Sequence, residues 1–387
     1  MSAPGHLRIV IVSPNFFPRT CGVGDNSLRL GAELHRRGHD VTIMSWNPAE
    51  THPEAPHVRV VGVDGATPVV VAHRLADAIA AIKPTNVIFG FTAQMWGGWR
   101  FASPASPWLA HRARRSGARV SLVVHEPFFS WSARPDLIVA SALQRFQLAA
   151  TIAASDDCFV TTESRVSLLA PLCRMVGRPA PQVFRIGANA LPVPNRADPD
   201  RPKIGLFSTA AAGKRLDVLL DAFEIVAPKV PSAELVFIGD LGPPDRPSVR
   251  SLLDRIQRHP AANRIRVTGK LPLTGVAQGI AELAAFLFPM DTGANTRSSV
   301  LPIALGSGVP VVATRGLETD PSLFRDGENV VFASGLEGKA FAKATLQLLQ
   351  DPELAARIGG GGRDLYARHL AWDRIADDLL GQLGAQA

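Results

Sequence analysis

Two doubly wound α/β units, each a parallel sheet wrapped by helices, are what this sequence predicts, and three observations carry the prediction. The chain has 387 residues, too many for one ordinary domain and a natural length for two. Short apolar runs rich in β-branched residues recur along it, separated by stretches with three- and four-residue apolar spacing, which is the alternation of βαβ folds. Near the middle, one proline-rich polar stretch interrupts the series.

The first half supplies strand candidates at Leu7 to Ser13, Val41 to Met44, Val58 to Val63, Val87 to Gly90, Val120 to His125 and Cys158 to Thr161. Between them, Leu28/Ala32, Leu30/Leu34 and the set Leu75, Ala78, Ile79 and Ile82 repeat at helical intervals. After Gly187 the sequence reads ANALPVPNRADPDRPK, so a linker is expected at 191–203, between domains at 1–190 and 204–370. The second series comprises Ile204 to Phe207, Leu235 to Ile238, Ile265 to Thr268, Ala285 to Phe288 and Val309 to Ala313. Four consecutive glycines, Gly359 to Gly362, predict a break, because glycine is a poor helix interior. A last amphipathic segment at about 371–387, with Trp372, Ile375, Leu379 and Leu380 on one side, is expected to fold back on the first domain.

Composition narrows the function classes. A hydrophobic fraction of 46% with 19% charged residues supports compact cores rather than disorder. The net charge of +7 favours acidic partners in a general way, but no Lys/Arg block resembles a nucleic-acid arm. Cys21, Cys158 and Cys173 have no metal-ligand spacing and fit a reducing compartment. With no long apolar segment at the N-terminus and no apolar run near the ~20 residues of a membrane span, a cytoplasmic protein is expected.

Open α/β sheets bind ligands beyond the carboxyl ends of their strands, so the loops there hold the candidate site residues. In SPNFFPRTCGVGDNS, Gly22 and Gly24 allow close backbone approach, and Asp25, Asn26 or Ser27 can cap the helix that follows. A tight turn accounts for the same glycines, and the missing third glycine argues against a nicotinamide site. His125 and Glu126 end an apolar strand and can orient sugar hydroxyls or serve structure alone. In the second half, STAAAGKRLDVLLDAF lacks the residues of an ATP P-loop but presents Lys214 beside Ser208 and Thr209, a setting for a diphosphate. Further on, Thr296 ends a glycine-containing turn, and Arg297, Ser298 and Ser299 fall at the start of a short apolar helix reaching about Leu305, which resembles an anion cradle or is simply capped by serine with Arg297 in solvent.

Taken together, CGVGDNSLRLGAELHRRGHDVTI, VVHEPFF, GLFSTAAAGKRLDVLLDAF, ELVFIGD, RIRVTGKLP and LPIALGSGVPVVAT resemble, in order, the family 4 retaining glycosyltransferases of GT-B fold. The resemblance implies two Rossmann-like domains facing each other across a cleft, an acceptor-side first domain, and a second domain holding a nucleotide diphosphate sugar. It implies Gly22 and Gly24 near the donor phosphate, His125 beside the transferred sugar and Lys214 on the diphosphate. Ala294 and Pro302 stand where that family's Glu-x(7)-Glu pair falls, and Thr296 to Ser299 occupy the same loop, as in a subgroup with an Arg-Ser pair. Transfer with retention, without an essential metal or cofactor, follows from the resemblance, the acceptor being a glycan, a lipid-linked sugar or a small molecule. A GT-B epimerase or phosphorylase, or a catalytically silent carbohydrate-binding relative, is the competing reading. Finally, SPWLAHRARRSGAR sets Trp108 and Leu109 beside His111, Arg112, Arg114, Arg115 and Arg119, with Arg36 and Arg37 as a second cluster. A peripheral contact with an anionic membrane on the cytoplasmic face is one expectation for it, and a solvated helix is the other.

Overall fold

In the computed structural model the described residues are 5–19, 21–97, 102–130, 134–207 and 213–384. They form two units, Met1–Ile186 with Ile375–Ala387, and Gly187–Arg374. In the first unit, β1 (Arg8–Val12), β2 (Asp40–Trp46), β3 (Arg59–Val63), β4 (Asn86–Thr92), β5 (Arg119–Glu126), β6 (Asp157–Val160) and β7 (Gln182–Val183) pair in parallel, in the order β3-β2-β1-β4-β5-β6-β7. The helices between them are α1 (Gly22–Arg36), α2 (Pro68–Ile82), α3 (Ala93–Gly97), α4 (Ala105–Arg115), α5 (Pro135–Ala154) and α6 (Glu163–Met175). Helices cover both faces of the central strands, so β4 is buried along its whole length and reads as an unbroken run rather than an alternating one.

The second unit repeats the plan. Strands β8 (Lys203–Phe207), β9 (Glu234–Ile238), β10 (Ile265–Val267), β11 (Leu283–Phe288), β12 (Val311–Ala313) and β13 (Val331–Phe332) are parallel, in the order β10-β9-β8-β11-β12-β13. Around them lie α7 (Leu216–Val226), α8 (Pro247–Arg258), α9 (Leu273–Ala281), α10 (Leu301–Ser307), α11 (Gly338–Gln350) and α12 (Pro352–Leu365). A π turn at Tyr366–Leu370 then leads into α13 (Trp372–Gly384). From Ile375 on this helix belongs to the first unit, where Ile375, Leu379, Leu380 and Leu383 are buried and the Arg119 guanidinium donates to the Leu383 carbonyl at 3.1 Å.

The proline-rich stretch has no regular structure, yet it is anchored to the second unit. Asn195 donates from Nδ2 to the carbonyls of Ala281 and Leu283, both at 2.9 Å, and its backbone N–H donates to Ser307. Strands β7 and β13 have only two residues each, too short to show a period, and the strand pattern does not announce them.

Two expectations are corrected. Gly359 to Gly362 lie inside α12 rather than breaking it, because the helix packs backbone against backbone. A Cβ on Gly359 would collide with the Gly308 carbonyl oxygen, and one on Gly361 with that of Glu328. Helix α1 starts at Gly22 with Cys21 as N-cap, so Asp25, Asn26 and Ser27 sit within the helix and do not cap it. One described helix, α5, is long and apolar enough by composition to span a membrane, with Gln144, Arg145 and Gln147 interrupting the run in sequence.

The glycine seam makes a paired test. Gly361→Ala should lower stability by about 1–3 kcal/mol through overpacking. Gly360→Ala, whose added carbon meets only the tip of Arg363 at 3.9 Å, should raise stability by about 0.5–1 kcal/mol through helix propensity. Chemical denaturation of both variants checks the opposite signs.

Candidate functional site

Both sheets reverse their strand order at a switch point, between β1 and β4 in one and β8 and β11 in the other. Loops leaving the two strands there diverge to opposite sides and open a crevice. In the second unit the crevice is a pocket of about 220 Å³ lined by Leu206, Phe207, Lys214, Phe288 to Met290, Asn295 and Arg297 to Val300. Lys214 precedes α7 and is fixed by an antiparallel bridge to Met290, with Arg215 donating to the Pro289 carbonyl at 3.0 Å. Burial, and then the neighbouring Arg297 cation, hold the Lys214 ammonium below its usual pKa. Two cations held together in a partly dry pocket favour an anionic ligand, which would relieve both penalties.

The loop carrying Arg297 is built on its own polar groups. Asn295 is buried, donates to Thr292 Oγ1 and the Gly293 carbonyl at 3.2 and 2.9 Å, and accepts from the Arg297 N–H at 3.2 Å. Gly293 has φ +81° and lies so close to Gly316 that no side chain fits either residue, which locks this loop to the one after β12. That second loop delivers Glu318, whose carboxylate accepts from Arg297 Nε at 2.6 Å. Sequence reading missed Glu318, although its place beyond the carboxyl end of β12 is the signal that marked the other loops. Ser298 Oγ accepts from the N–H groups of Val300, the N-cap of α10, and Leu301 at 3.4 and 3.2 Å, and Arg297 to Ser299 precede the helix rather than beginning it. Ser299 lines the pocket, Thr296 is buried beside it, and Ser208 and Thr209 lie outside the described residues.

In the first unit, β5 ends in His125 and Glu126. The His125 ring sits beside Gly90 at the end of β4, and its carbonyl accepts from the buried Arg165 guanidinium. Burial, helped by Arg165, pushes the imidazole pKa down to about 4, so the ring is neutral at pH 7. Glu126 is exposed and pairs with Arg165 at 3.4 Å. The glycines of the first loop have different roles. Gly24 permits close approach, since a Cβ there would lie 2.8 Å from the Asn15 carbonyl oxygen, whereas nothing lies within 4 Å of a Cβ on Gly22 at the first turn of α1.

The segment read as an exposed aromatic among cations is packed differently. Leu109 is fully buried, and the half-buried Trp108 lies against His73, with ring centroids 3.8 Å apart and planes tilted by 38°, and under Arg112. Arg114 pairs with Asp156, Arg119 with Asp157, and Arg36 and Arg37 with Glu33, which removes most of the free charge.

Similarity to known proteins agrees with this geometry. Residues 201–351 match the family model "Glycosyl transferases group 1". The phosphatidyl-myo-inositol mannosyltransferase of Mycobacterium tuberculosis is 25% identical over 401 residues, covering 97% of this chain and 96% of the relative. The GDP-mannose-dependent alpha-(1-6)-phosphatidylinositol monomannoside mannosyltransferase of the same organism is 24% identical over 408 residues, covering 96% and 97%. Anabaena HepE, solved in complex with UDP and glucose, superposes with a TM-score of 0.72 at 14% identity, covering 98% of this chain and 100% of that one. Sucrose-phosphate synthase from Thermosynechococcus elongatus also reaches 0.72, at 16% identity, covering 98% and 99%. The fold is that of GT-B proteins, and the family match with the mannosyltransferase relatives makes the chain a glycosyltransferase. The stretch that matches the group 1 model, 201–351, lies within its second unit.

His125 gives a pH prediction. Its folded pKa of about 4 lies below the unfolded value, so the unfolded chain binds the proton more readily. The stabilisation from the neutral ring is complete above ~6.5 and is lost as pH falls towards 4, amounting to about 3 kcal/mol at most. Unfolding experiments should show a shallower loss of stability between about pH 6.5 and 4.5 in His125→Gln than in the parent.

Proposed function

We propose that this chain transfers a hexosyl residue from a nucleotide diphosphate sugar to a lipid-linked acceptor, with retention of configuration and no essential metal. The observation that carries the reading is the pairing of Lys214 and Arg297 in the pocket at the second unit's switch point. A diphosphate there would receive charge-assisted hydrogen bonds from both, and the same cations would stabilise the charge that builds on the leaving group. Preorganised donors of this kind supply leaving-group stabilisation that a metal supplies in other enzymes. Glu318 keeps the Arg297 guanidinium oriented while leaving the pocket a surplus of positive charge. Ala294 and Pro302 are buried, so the ribose and sugar contacts come from other residues of this loop, with Ser299 the nearest candidate.

In the first unit, the neutral His125 can accept or donate a hydrogen bond to a sugar hydroxyl without adding a charge. Gly22 and the free amides of the first turn of α1 suit an anionic group of the donor, and Glu126 suits an acceptor hydroxyl. The lipid-linked acceptor is favoured because both curated relatives carry phosphatidylinositol-based acceptors in their names, and a position peripheral to the cytoplasmic membrane face follows from such an acceptor. The base of the donor differs among the similar proteins, GDP-mannose being named for one and UDP for another, so a panel of GDP- and UDP-sugars is the first experiment.

A donor bound to the native state raises the melting temperature, and one member of that panel should do so. Lys214→Ala should weaken that donor about 10- to 100-fold, the loss of one charge-assisted bond, with the unliganded melting temperature little changed. Calorimetric titration showing unaltered affinity would remove the diphosphate site. His125→Ala should instead cut turnover while leaving donor affinity within about twofold, which steady-state rates at saturating donor resolve.

A further inference from the structure

His125 stands at a break in the strand ladder. On the β4 side, Phe91 pairs with Val124 and Thr92 with Glu126, so the register slips and His125 is the extra residue of a β-bulge. On the other side, β6 pairs with β5 only as far as Val160 opposite Val124. Bulges are rare in parallel sheets, and where they occur they re-aim a side chain. Beyond Val124 the strand end therefore needs another partner to hold its backbone in one orientation.

That partner is Arg165, in the first turn of α6. Its guanidinium donates to the His125 carbonyl, donates to Thr161 Oγ1 at 3.2 Å and reaches the Glu126 carboxylate at 3.4 Å. Neither the helix nor ion pairing accounts for an arginine at this place. A cation in the first turn opposes the helix dipole. The Arg165 side chain is 7% exposed while Glu126 is half-exposed, so their pair offsets little of the cost of taking the guanidinium out of water. What the arginine does secure is the end of β5, which it ties to the turn between β6 and α6. A group so little exposed is not presented to a substrate, and its effect has to pass through the residues it holds.

We propose that Arg165 is a positioning residue for sugar transfer, holding the bulge at His125 in one backbone conformation and so aiming the imidazole beside Gly90 at the transferred sugar. A lysine would do this less well, because a single ammonium cannot match the forked contact with the His125 carbonyl, the Thr161 hydroxyl and Glu126. The proposal deepens the functional reading and rests on it for the role of His125.

Rates and binding measured on Arg165→Met provide the first test. Turnover at saturating donor should fall about 10- to 100-fold, the scale of a misplaced reacting group, with donor affinity within about twofold of the parent. Added to His125→Ala, Arg165→Met should cost less than about threefold more, because residues that act as a unit are not additive. Arg165→Lys should fall between the Met variant and the parent. The ring itself is read without substrate, by NMR of protein carrying isotope-labelled histidine. The His125 signals, identified by their loss in His125→Gln, should move or broaden in Arg165→Met, while those of His259 in the second unit stay in place. Should melting show that Arg165→Met does not fold, the same readings are made on Arg165→Lys, where turnover should fall about three- to tenfold. Parent turnover in the folded variant, losses that multiply in the double variant, or unmoved His125 signals would each overturn the proposal. Full turnover in His125→Ala would sink the assignment of His125 to transfer, whereas unmoved ring signals would sink its positioning by Arg165, so the two failures are told apart.

Discussion

The reversal of strand order in each parallel sheet is the constraint on which the rest of this molecule depends. Right-handed crossovers force consecutive connections to opposite faces where the order turns, so no loop can fill the space above β1 and β4, or above β8 and β11. The groups assigned to chemistry in the second unit follow from that topology. Lys214 comes from the connection after β8, Arg297 from the one after β11, and Glu318 from the one after β12. In the first unit, the His125 ring reaches back over Gly90 at the edge of the corresponding space.

Electrostatics then decides what the second-unit crevice can hold. Lys214 and Arg297 oppose each other and are partly removed from water, while one carboxylate, Glu318, offsets part of the charge. Such a site is costly when empty and is relieved by a ligand with two or more negative charges. Glu318, on the loop that Gly316 locks to Gly293, holds the guanidinium in place. Rigidity of the loop and affinity for the anion are thus two sides of one arrangement.

Most of the architecture was legible because a buried parallel strand announces itself as a β-branched run, and the long strands and amphipathic helices stand where those patterns fall. What stayed hidden depends on contacts between distant residues. Nothing local in GGGG separates a chain break from a seam where two backbones touch, and the distinction lies with Gly308 and Glu328, more than thirty residues away in sequence. Likewise, Trp108 among arginines reads as a surface anchor until His73 and the carboxylates of Asp156 and Asp157 are brought alongside. The candidate site was found loop by loop, through strand ends and glycine-containing turns. Glu318 escaped because a single acid in a polar loop has no pattern until its partner is known.

The seam in α12 also bears on how the chain acquires its structure. Each of the four glycines gives up more backbone freedom on ordering than alanine would, at a cost of about 0.5–1 kcal/mol apiece, and brings no side chain to offset it. A segment with that composition has little helicity in isolation. It becomes helical only once the surfaces around Leu305, Gly308 and Glu328 exist to receive it. We therefore expect the last helices to assemble after both sheets, with the C-terminal return to the first unit closing the sequence of folding events rather than guiding it.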